Sequence, residues 1–186
     1  MTDATIVSLY WQRDETAIKE TEIKFGKYLT KIAYNILADN EDSEESVNDT
    51  FLKAWNSMPT HKPNELSTYL GKITRELSID AYRKRNRQKR AASQYALSLT
   101  EIEECVPANN NPALEVETKL LDDLINSYLF TVSKDMRDVF LCRYYFMDSI
   151  KDISAKHNMS VSKVKSMLRR VRLGLRTHLE KGGFSV

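Results

Sequence analysis

The C-terminal part of the chain carries the pattern that most constrains its fold. From Val161 to Leu175 the apolar residues recur at alternating spacings of three and four, which places them along one stripe of a helix. Shortly before it, Ile150 and Ile153 share one face of a shorter helical segment. Asn158, between the two, tolerates the left-handed backbone of a sharp turn, and Ser160 is a good N-cap for the second helix. The pattern therefore predicts a helix-turn-helix.

The face of the second predicted helix opposite the apolar stripe is basic. Between Val161 and His178 there is no acidic residue, and six basic residues lie on that face: Lys163, Lys165, Arg169, Arg170, Arg172 and Arg176. A basic helix after a tight helical turn is the arrangement that lays a recognition helix into the major groove of duplex DNA. The alternative is a helical hairpin with a solvated basic face, and the clustering of the bases favours contact with DNA.

Composition indicates an all-helical chain that folds as one domain or two small ones. Its 186 residues include only 5 glycines and 4 prolines, whereas leucine, isoleucine, lysine, glutamate and alanine are plentiful. The formal net charge of +2 conceals a segregation of charge. Acids concentrate at 39–49 and 101–123, and bases at 83–90 and 163–176. We therefore expect polyanions to bind at two places and another partner to meet an acidic face.

The N-terminal half predicts a succession of helices. Helical spacing runs from about Asp14 to Ala38, and the next helix is expected to begin with Ser43 as its N-cap. Its acidic start is either a surface for a partner or a common solubility device, and the residues alone do not separate the two. After a loop with two prolines, a further helix begins at Asn64 or Ser67 and runs into 83–90. That segment is basic on all sides, so it has no core to face and is either frayed or lying on phosphate.

The pattern changes again near the middle of the chain. From Ala91 to about Leu114 helical spacing gives way to alanine, serine, asparagine, glutamate and two prolines, which is typical of a linker. Helical spacing then resumes, with a short break at 131–133. We predict an all-α fold of two small helical domains joined by a polar linker, the second containing the helix-turn-helix. The predicted bounds are 1–90 for the N-terminal domain, 91–116 for the linker and 117–186 for the C-terminal domain.

No pattern for catalysis or metal binding stands out. The chain has no glycine-rich phosphate loop, and His61, His157 and His178 have no ligand spacing with acids or cysteines. Cys105 and Cys142 lie far apart in sequence, which indicates a reduced setting. The first residues lack the apolar core of a signal peptide, and no apolar run approaches membrane-spanning length. We expect a soluble, cytoplasmic, non-enzymatic protein without cofactor or metal, with a hydrolytic or nuclease site of unrecognised pattern as the open alternative.

Three stretches, in this order, resemble the alternative sigma factors of bacterial RNA polymerase, of the small two-domain extracytoplasmic-function (ECF) type. Residues 41–55, EDSEESVNDTFLKAW, look like the polymerase-binding helix of that family. Residues 67–90, STYLGKITRELSIDAYRKRNRQKR, resemble its helix that reads and melts the −10 promoter element. Residues 148–179 are similar to its helix-turn-helix, which binds the −35 element. The resemblance implies a protein that binds core polymerase, directs promoter-specific transcription initiation and catalyses no reaction itself.

The resemblance also implies roles for individual residues. The positions that match the core-polymerase contact are Glu45, Asn48, Asp49 and Leu52. The positions that match −10 recognition are His61, Asn64, Lys72, Arg75, Glu76, Asp80, Arg83 and Lys84. The positions that match −35 recognition are Ser162, Lys163, Lys165, Ser166, Arg169, Arg170 and Arg172. Of these last, Lys163 and Arg172 are expected on phosphates rather than on base edges.

The implied partners are bacterial core RNA polymerase, promoter DNA (duplex at −35, melted at −10) and an anti-sigma factor, with the chain a monomer when bound. Two departures from the family pattern concern the site. Asn48 stands where a longer glutamine is common, and Glu76 is an unexpected acid beside single-stranded DNA. Two other classes of protein stay open: a stand-alone helix-turn-helix regulator, and an interaction module that occupies polymerase without starting transcription. The first of these leaves 45–49 and 83–90 without a role.

Overall fold

The computed structural model describes residues 1–60, 62–85, 93–103, 105–106 and 115–184. Over these residues the chain forms nine α-helices and no strand, which confirms the all-α class: α1 (Asp3–Trp11), α2 (Thr16–Leu37), α3 (Asn40–Ser57), α4 (Leu66–Arg85), α5 (Gln94–Ile102), α6 (Glu115–Thr131), α7 (Lys134–Tyr144), α8 (Ile150–Lys156) and α9 (Val161–Lys181). Within the same ranges no helix combines the length and the apolar character needed to cross a membrane. His61, the basic residues within 86–90, and residues 91–92, 104 and 107–114 of the predicted linker lie outside the described residues.

The chain divides into two compact units, Met1–Gln94 and Tyr95–Val186. In the first unit α2, α3 and α4 pack against one another, and α1 packs along α2. The stripe predicted for α2 forms the centre of this core, with Leu29, Ala33 and Ile36 fully buried. Burying a large aliphatic side chain contributes about 1.5–3 kcal/mol each, so this stripe fixes the packing of the unit. The sequence pattern did not predict α1, because its few buried residues give no periodic signal over nine positions.

The junction between α2 and α3 corrects the predicted start of α3. Ala38 adopts the left-handed conformation, with φ 53°, and ends α2. Asp39, not Ser43, caps α3, since its carboxylate accepts the N–H of Asp42 at 3.1 Å. Ser43 lies fully buried within the helix, where its hydroxyl donates to the carbonyl of Asp39. Both residue types are good caps, and the extended backbone at Asp39 decides between them.

Neutral hydroxyl pairs join the helices of the first unit. Tyr10 of α1 shares a hydrogen bond of 3.0 Å with Thr21 of α2. Thr50 of α3 shares one of 2.9 Å with Thr74 of α4. All four side chains are fully buried. These bonds satisfy polar groups that would otherwise lie in the core without a partner.

In the second unit α6, α7 and α8 pack against α9. Four residues of the stripe predicted for α9 are no more than 1% exposed: Val164, Leu168, Val171 and Leu175. Val139 of α7 and Ile153 of α8 are fully buried in the same cluster. Val161 departs from the predicted stripe and is 40% exposed, because it is the first residue of the helix. The stripe therefore anchors α9 and leaves its other faces exposed.

α8 and α9 form the predicted helix-turn-helix. The hydroxyl of Ser160 accepts the N–H of Lys163 at 3.2 Å and caps α9. Asn158 has φ 51°, the left-handed conformation expected of the turn. The hydroxyl of Ser154 donates to the carbonyl of Met159 at 2.5 Å and closes the turn. The cap and the turn residue are both confirmed, and they fix the angle at which α9 leaves α8.

A helix stands where irregular chain was expected. Residues Gln94–Ile102 form α5, within the predicted linker, and bury Tyr95 and Ser98. The hydroxyl of Ser98 lies 3.1 Å from the sulfur of Met147, and Ile102 packs on the core of the second unit. The nine residues QYALSLTEI gave too short an apolar pattern to predict a helix. The expectation of irregular structure is wrong for 94–102, and the role of 91–116 as a linker stays a prediction.

Candidate functional site

The exposed face of α9 carries the residues predicted to contact duplex DNA. Six of the seven are exposed: Ser162, Lys163, Lys165, Ser166, Arg169 and Arg170. Because the opposite stripe of the helix is held in the core, these side chains point away from the second unit. The first turns of α9 therefore present a positive, hydrogen-bonding surface of the kind that meets phosphates and base edges.

The surface of α4 gathers most of the residues predicted to read a melted strand. Those exposed there are Lys72, Glu76, Asp80, Arg83 and Lys84, while Arg75 is partly buried. Lys72, Glu76 and Arg83 share one face, since residues four and seven apart align on a helix. Asn64 is exposed in the loop before α4. The surface is mixed in charge rather than uniformly basic.

Glu76, the acid that was unexpected beside a DNA strand, is paired. Its carboxylate lies 3.5 Å from the ammonium of Lys53 on α3 and 4.0 Å from that of Lys72 one turn away. Both pairs are partly exposed, so each contributes about 0.2–1 kcal/mol. The pairing turns the carboxylate toward α3 and offsets its charge beside Lys72.

Arg85 corrects the expectation that 83–90 faces no part of the fold. Its guanidinium donates to the carbonyl of Leu37 at 2.8 Å and pairs with Asp42, with Asp39 at 3.8 Å. The last carbonyls of a helix lack partners within it, and Arg85 satisfies one at the end of α2. Arg83 remains exposed. Its guanidinium is therefore available to a phosphate, whereas that of Arg85 is engaged within the fold.

The residues predicted to contact polymerase form a ridge on α3, where Glu45, Asn48, Asp49 and Leu52 are all exposed. A cleft of about 520 Å³ toward α4 is lined in part by Glu45 and Asp49. A second cleft, of about 450 Å³ toward α2, is lined in part by Asn48 and Lys27. Leu52 is 58% exposed. The ridge therefore combines acidic, amide and apolar side chains that are all accessible to a partner.

Comparison with known proteins places this part of the chain in a family. Residues 24–88 match the family described as sigma-70 region 2, which covers all of α3 and α4. A similar protein, ECF RNA polymerase sigma factor SigE of Mycolicibacterium smegmatis, is 27% identical over 153 residues, which are 81% of this chain and 57% of the relative. Residues 24–88 therefore carry a sigma-70 region 2, and the chain is similar to an ECF sigma factor over most of its length.

Further relatives extend the comparison. The probable RNA polymerase sigma factor RfaY of Xanthomonas campestris pv. campestris is 26% identical over 152 residues, which are 81% of this chain and 37% of the relative. The chain thus spans less than two thirds of the length of either curated relative. The solved structure of CnrH in complex with the cytosolic domain of CnrY covers 96% of this chain and 97% of its own, with a TM-score of 0.45 and 20% identity. RpoE in complex with the anti-sigma factor NepR from Bartonella quintana covers 87% and 96%, with a TM-score of 0.37 and 20% identity.

Arg172 differs from the other predicted −35 residues. Its side chain is 20% exposed, and its Nη1 lies 3.6 Å from Oε2 of Glu101. The same Nη1 donates to the hydroxyl of Tyr144 at 2.6 Å. Glu101 accepts from Arg143 at 2.8 and 3.1 Å and from the Tyr144 hydroxyl at 2.9 Å. We call these four residues the Glu101 cluster; it joins α5, α7 and α9, and the phosphate contact expected of Arg172 stays a prediction.

The electrostatics of the Glu101 cluster follow from burial and charge. Burial raises the pKa of Tyr144 far above its usual value, so the hydroxyl stays protonated and donates. Burial acts to raise the pKa of Glu101, but the hydrogen bond and charge of Arg143, helped by Tyr144 and Arg172, outweigh it and the pKa is lowered. Glu101 is therefore ionised at neutral pH. Sequence reasoning missed the cluster because 42 residues separate Glu101 from Arg143.

Cys142 and His157 also lie side by side, a contact that the sequence pattern did not predict. The thiol lies 3.6 Å from Nε2 of His157 and 3.5 Å from the ammonium of Lys156. A cysteine beside a histidine is a candidate nucleophile, but this thiol is 4% exposed and burial raises its pKa despite the nearby lysine. A buried, protonated thiol is inert. Among the described residues no group of three potential ligands is placed to hold a metal ion.

Proposed function

We propose that this protein directs promoter-specific transcription initiation, binding core RNA polymerase and reading both the −10 and the −35 elements. The observation that carries the proposal is the sigma-70 region 2 match over 24–88, joined in one chain to a helix-turn-helix with a basic second helix. Sigma factors are non-catalytic initiation factors. Nucleotide addition then belongs to the polymerase, and this chain supplies recognition.

α3 is the proposed contact with core polymerase. Glu45 and Asp49 supply negative charge on one side of the ridge, and Asn48 supplies a polar group on the other. Leu52 supplies an apolar anchor. Charge complementarity speeds and orients association, whereas a desolvated apolar centre holds the complex. The shorter reach of Asn48 compared with glutamine places more of the contact on the acids and Leu52.

α4 and the loop before it are proposed to hold the melted −10 strand. Lys72, Arg83 and Lys84 are exposed cations that can contact the strand's phosphates. Extruding a base from the duplex costs roughly a few kcal/mol of unstacking, and such backbone contacts offset that cost. Glu76 acts here through its ion pairs with Lys53 and Lys72, which set the position of Lys72, rather than by touching DNA.

α9 is proposed to bind the −35 duplex in the major groove. Lys165, Ser166, Arg169 and Arg170 are the proposed contacts with base edges, and Lys163 is a proposed phosphate contact. An arginine paired to both acceptors of a guanine discriminates against other bases by about 1–3 kcal/mol. With both DNA contacts on one chain, tethering raises the affinity of each, so we propose a monomer in the bound state. The family resemblance adds the cytoplasm as location and an anti-sigma factor as antagonist.

A run-off transcription assay with purified core polymerase tests the proposal. The wild-type protein should give promoter-dependent product. The double variant Glu45→Lys with Asp49→Lys should lose core binding and product while keeping its helix content, because both side chains are exposed on α3. The matched control, Asp122→Lys with Asp123→Lys, makes the same charge change on exposed positions of α6 and should keep core binding.

The other outcomes discriminate among the classes of protein. Duplex binding without any product would indicate a stand-alone regulator. Core binding without product would indicate an interaction module that occupies polymerase. Co-purification of the α3 double variant with core would show that α3 is not the contact.

A further inference from the structure

Arg172 faces a carboxylate where its neighbours on α9 face solvent. The other six predicted −35 residues are exposed, whereas Arg172 is enclosed by Glu101 and Tyr144. Part of the positive charge predicted for the DNA-binding face is therefore offset from within the protein. A phosphate that approaches α9 has to compete with Glu101 for this guanidinium.

The enclosure extends along the same face. Cys105, shortly after α5, lines a cleft of about 250 Å³ together with Leu173, Arg169, Arg172 and Arg176. Three arginines around one small cleft favour an anion beside them, and Arg176 already pairs with Glu180 at 3.0 Å. Among the described residues, Arg172 pairs with the carboxylate of Glu101.

The two arms of the Glu101 cluster differ in strength. Arg143 donates two hydrogen bonds to Glu101 and a third, at 3.1 Å, to the carbonyl of Asp148, and it is 2% exposed. Among the described residues, Arg172 donates one side-chain hydrogen bond, to Tyr144, and its contact with Glu101 is longer, at 3.6 Å. The Arg172 arm can therefore release while the arm to Arg143 stays closed.

We propose that the Glu101 cluster is a latch that withholds Arg172 from DNA until a backbone phosphate takes the place of Glu101 and Tyr144. The inference rests on the proposed function in one respect, that α9 meets duplex DNA. In the latched state the protein binds duplex DNA with one phosphate contact fewer. The measured affinity is reduced by the fraction of molecules in which Arg172 is held. A cluster that served only to dock α5 would leave DNA affinity unchanged when the Arg172 arm is cut.

Fluorescence anisotropy with a short labelled duplex of mixed sequence measures the latch in the full chain without polymerase. Glu101→Gln removes the charge that holds Arg172 and should tighten binding about fivefold, at the lower end of coupling between linked equilibria. The slope of log affinity against log salt should steepen by up to about 0.9, the value for one more phosphate contact, because part of the wild-type complex keeps Arg172 latched. Glu103→Gln is the matched control, because it makes the same charge change at an exposed position beside the end of α5 and should show neither change.

Two further variants keep the test decisive. Tyr144→Phe removes only the hydroxyl between Arg172 and Glu101, keeps both hydrogen bonds from Arg143, and should give a smaller gain in the same direction. If Glu101→Gln does not fold, Tyr144→Phe alone tests the latch. Adding Arg172→Gln to either variant should abolish the gain. The latch is overturned if both variants bind no more tightly than Glu103→Gln, or if the gain persists without Arg172.

The run-off assay separates this inference from the proposed function. A gain in duplex affinity that depends on Arg172 supports the latch even if no promoter-dependent product forms. Product without any such gain supports the sigma function and overturns the latch.

Discussion

The first compact unit buries neutral hydroxyl pairs between its helices, whereas the second buries a guanidinium against a carboxylate. Tyr10 with Thr21 and Thr50 with Thr74 carry no charge. Arg143 and Glu101 carry full charges, and Arg143 is the largest fully buried side chain of the described residues. Breaking a buried ion pair leaves a desolvated charge, while losing a neutral bond leaves a dipole. The second unit should therefore be the more sensitive to single substitutions and to acid.

Of the substitutions that test this comparison, Glu101→Ala should cause the largest loss of stability. It removes the carboxylate that accepts two hydrogen bonds from Arg143. Removing one partner of a buried pair costs about 3–5 kcal/mol, and we expect about 3 kcal/mol because Glu101 is more than a quarter exposed. Amide hydrogen exchange should show the loss in α7 and α9 and not in α2. Glu103→Ala, exposed and close by, is the control and should change little.

Acid should act on the same pair with a defined sign. The pKa of Glu101 is lower in the folded protein than its usual value of about 4.3. Its stabilisation is therefore fully present above that usual value and is lost as pH falls through the folded pKa. The loss of protection in α7 and α9 between neutral pH and about pH 3 should be smaller in Glu101→Ala than in the wild type. Equal losses in the two proteins would show that the acid sensitivity of the second unit lies elsewhere.

The same comparison shows what the sequence could predict. The helices with strong periodicity, α2 and α9, and the turn at Asn158 follow from local pattern, because spacing and capping act within a few residues. The Glu101 cluster, Arg85 at the end of α2 and Glu76 with Lys53 depend on contacts between distant residues. Local pattern therefore predicted the helices and the turn. Which charged side chains pair with one another and which remain exposed is determined by the tertiary fold.

Gly174→Ala tests packing rather than charge in the second unit. A Cβ at this position would lie 2.1 Å from the hydroxyl of Tyr128, which donates to the carbonyl of Val171 at 3.1 Å. Tyr128 has to move and lose that bond, so we expect a destabilisation of about 1–3 kcal/mol. Thermal unfolding of the variant measures it. Tyr128→Phe in the same chain should rescue part of the loss by removing the oxygen.

The first unit offers a matched helical glycine for this test. At Gly26 the nearest atom to an added Cβ is Cγ of Glu22, at 3.6 Å, which is an ordinary contact. Gly26→Ala should therefore stabilise α2 by about 0.5–1 kcal/mol through helix propensity. Opposite signs at the two glycines would attribute the Gly174 effect to Tyr128. Destabilisation of similar size at both would refute that attribution.

Thr50→Val should have the smallest effect and tests the neutral side of the comparison. Thr50 and Thr74 are 2.9 Å apart, and each hydroxyl also lies within hydrogen-bonding distance of a carbonyl of its own helix, at 2.7 and 3.0 Å. The two hydroxyls have two protons for these three contacts, so at any moment only two of the contacts are hydrogen bonds. The single substitution should therefore cost only about 1 kcal/mol.

The double variant Thr50→Val with Thr74→Val should cost less than the sum of the two single changes, because the second substitution removes a hydroxyl that has already lost its partner. Urea unfolding of the three variants completes this cycle, with Ser57→Ala, which changes a half-buried hydroxyl at the end of α3, as a reference. Strict additivity would mean that the pair does not interact. A single-variant loss as large as that of Glu101→Ala would remove the distinction between neutral and charged burial.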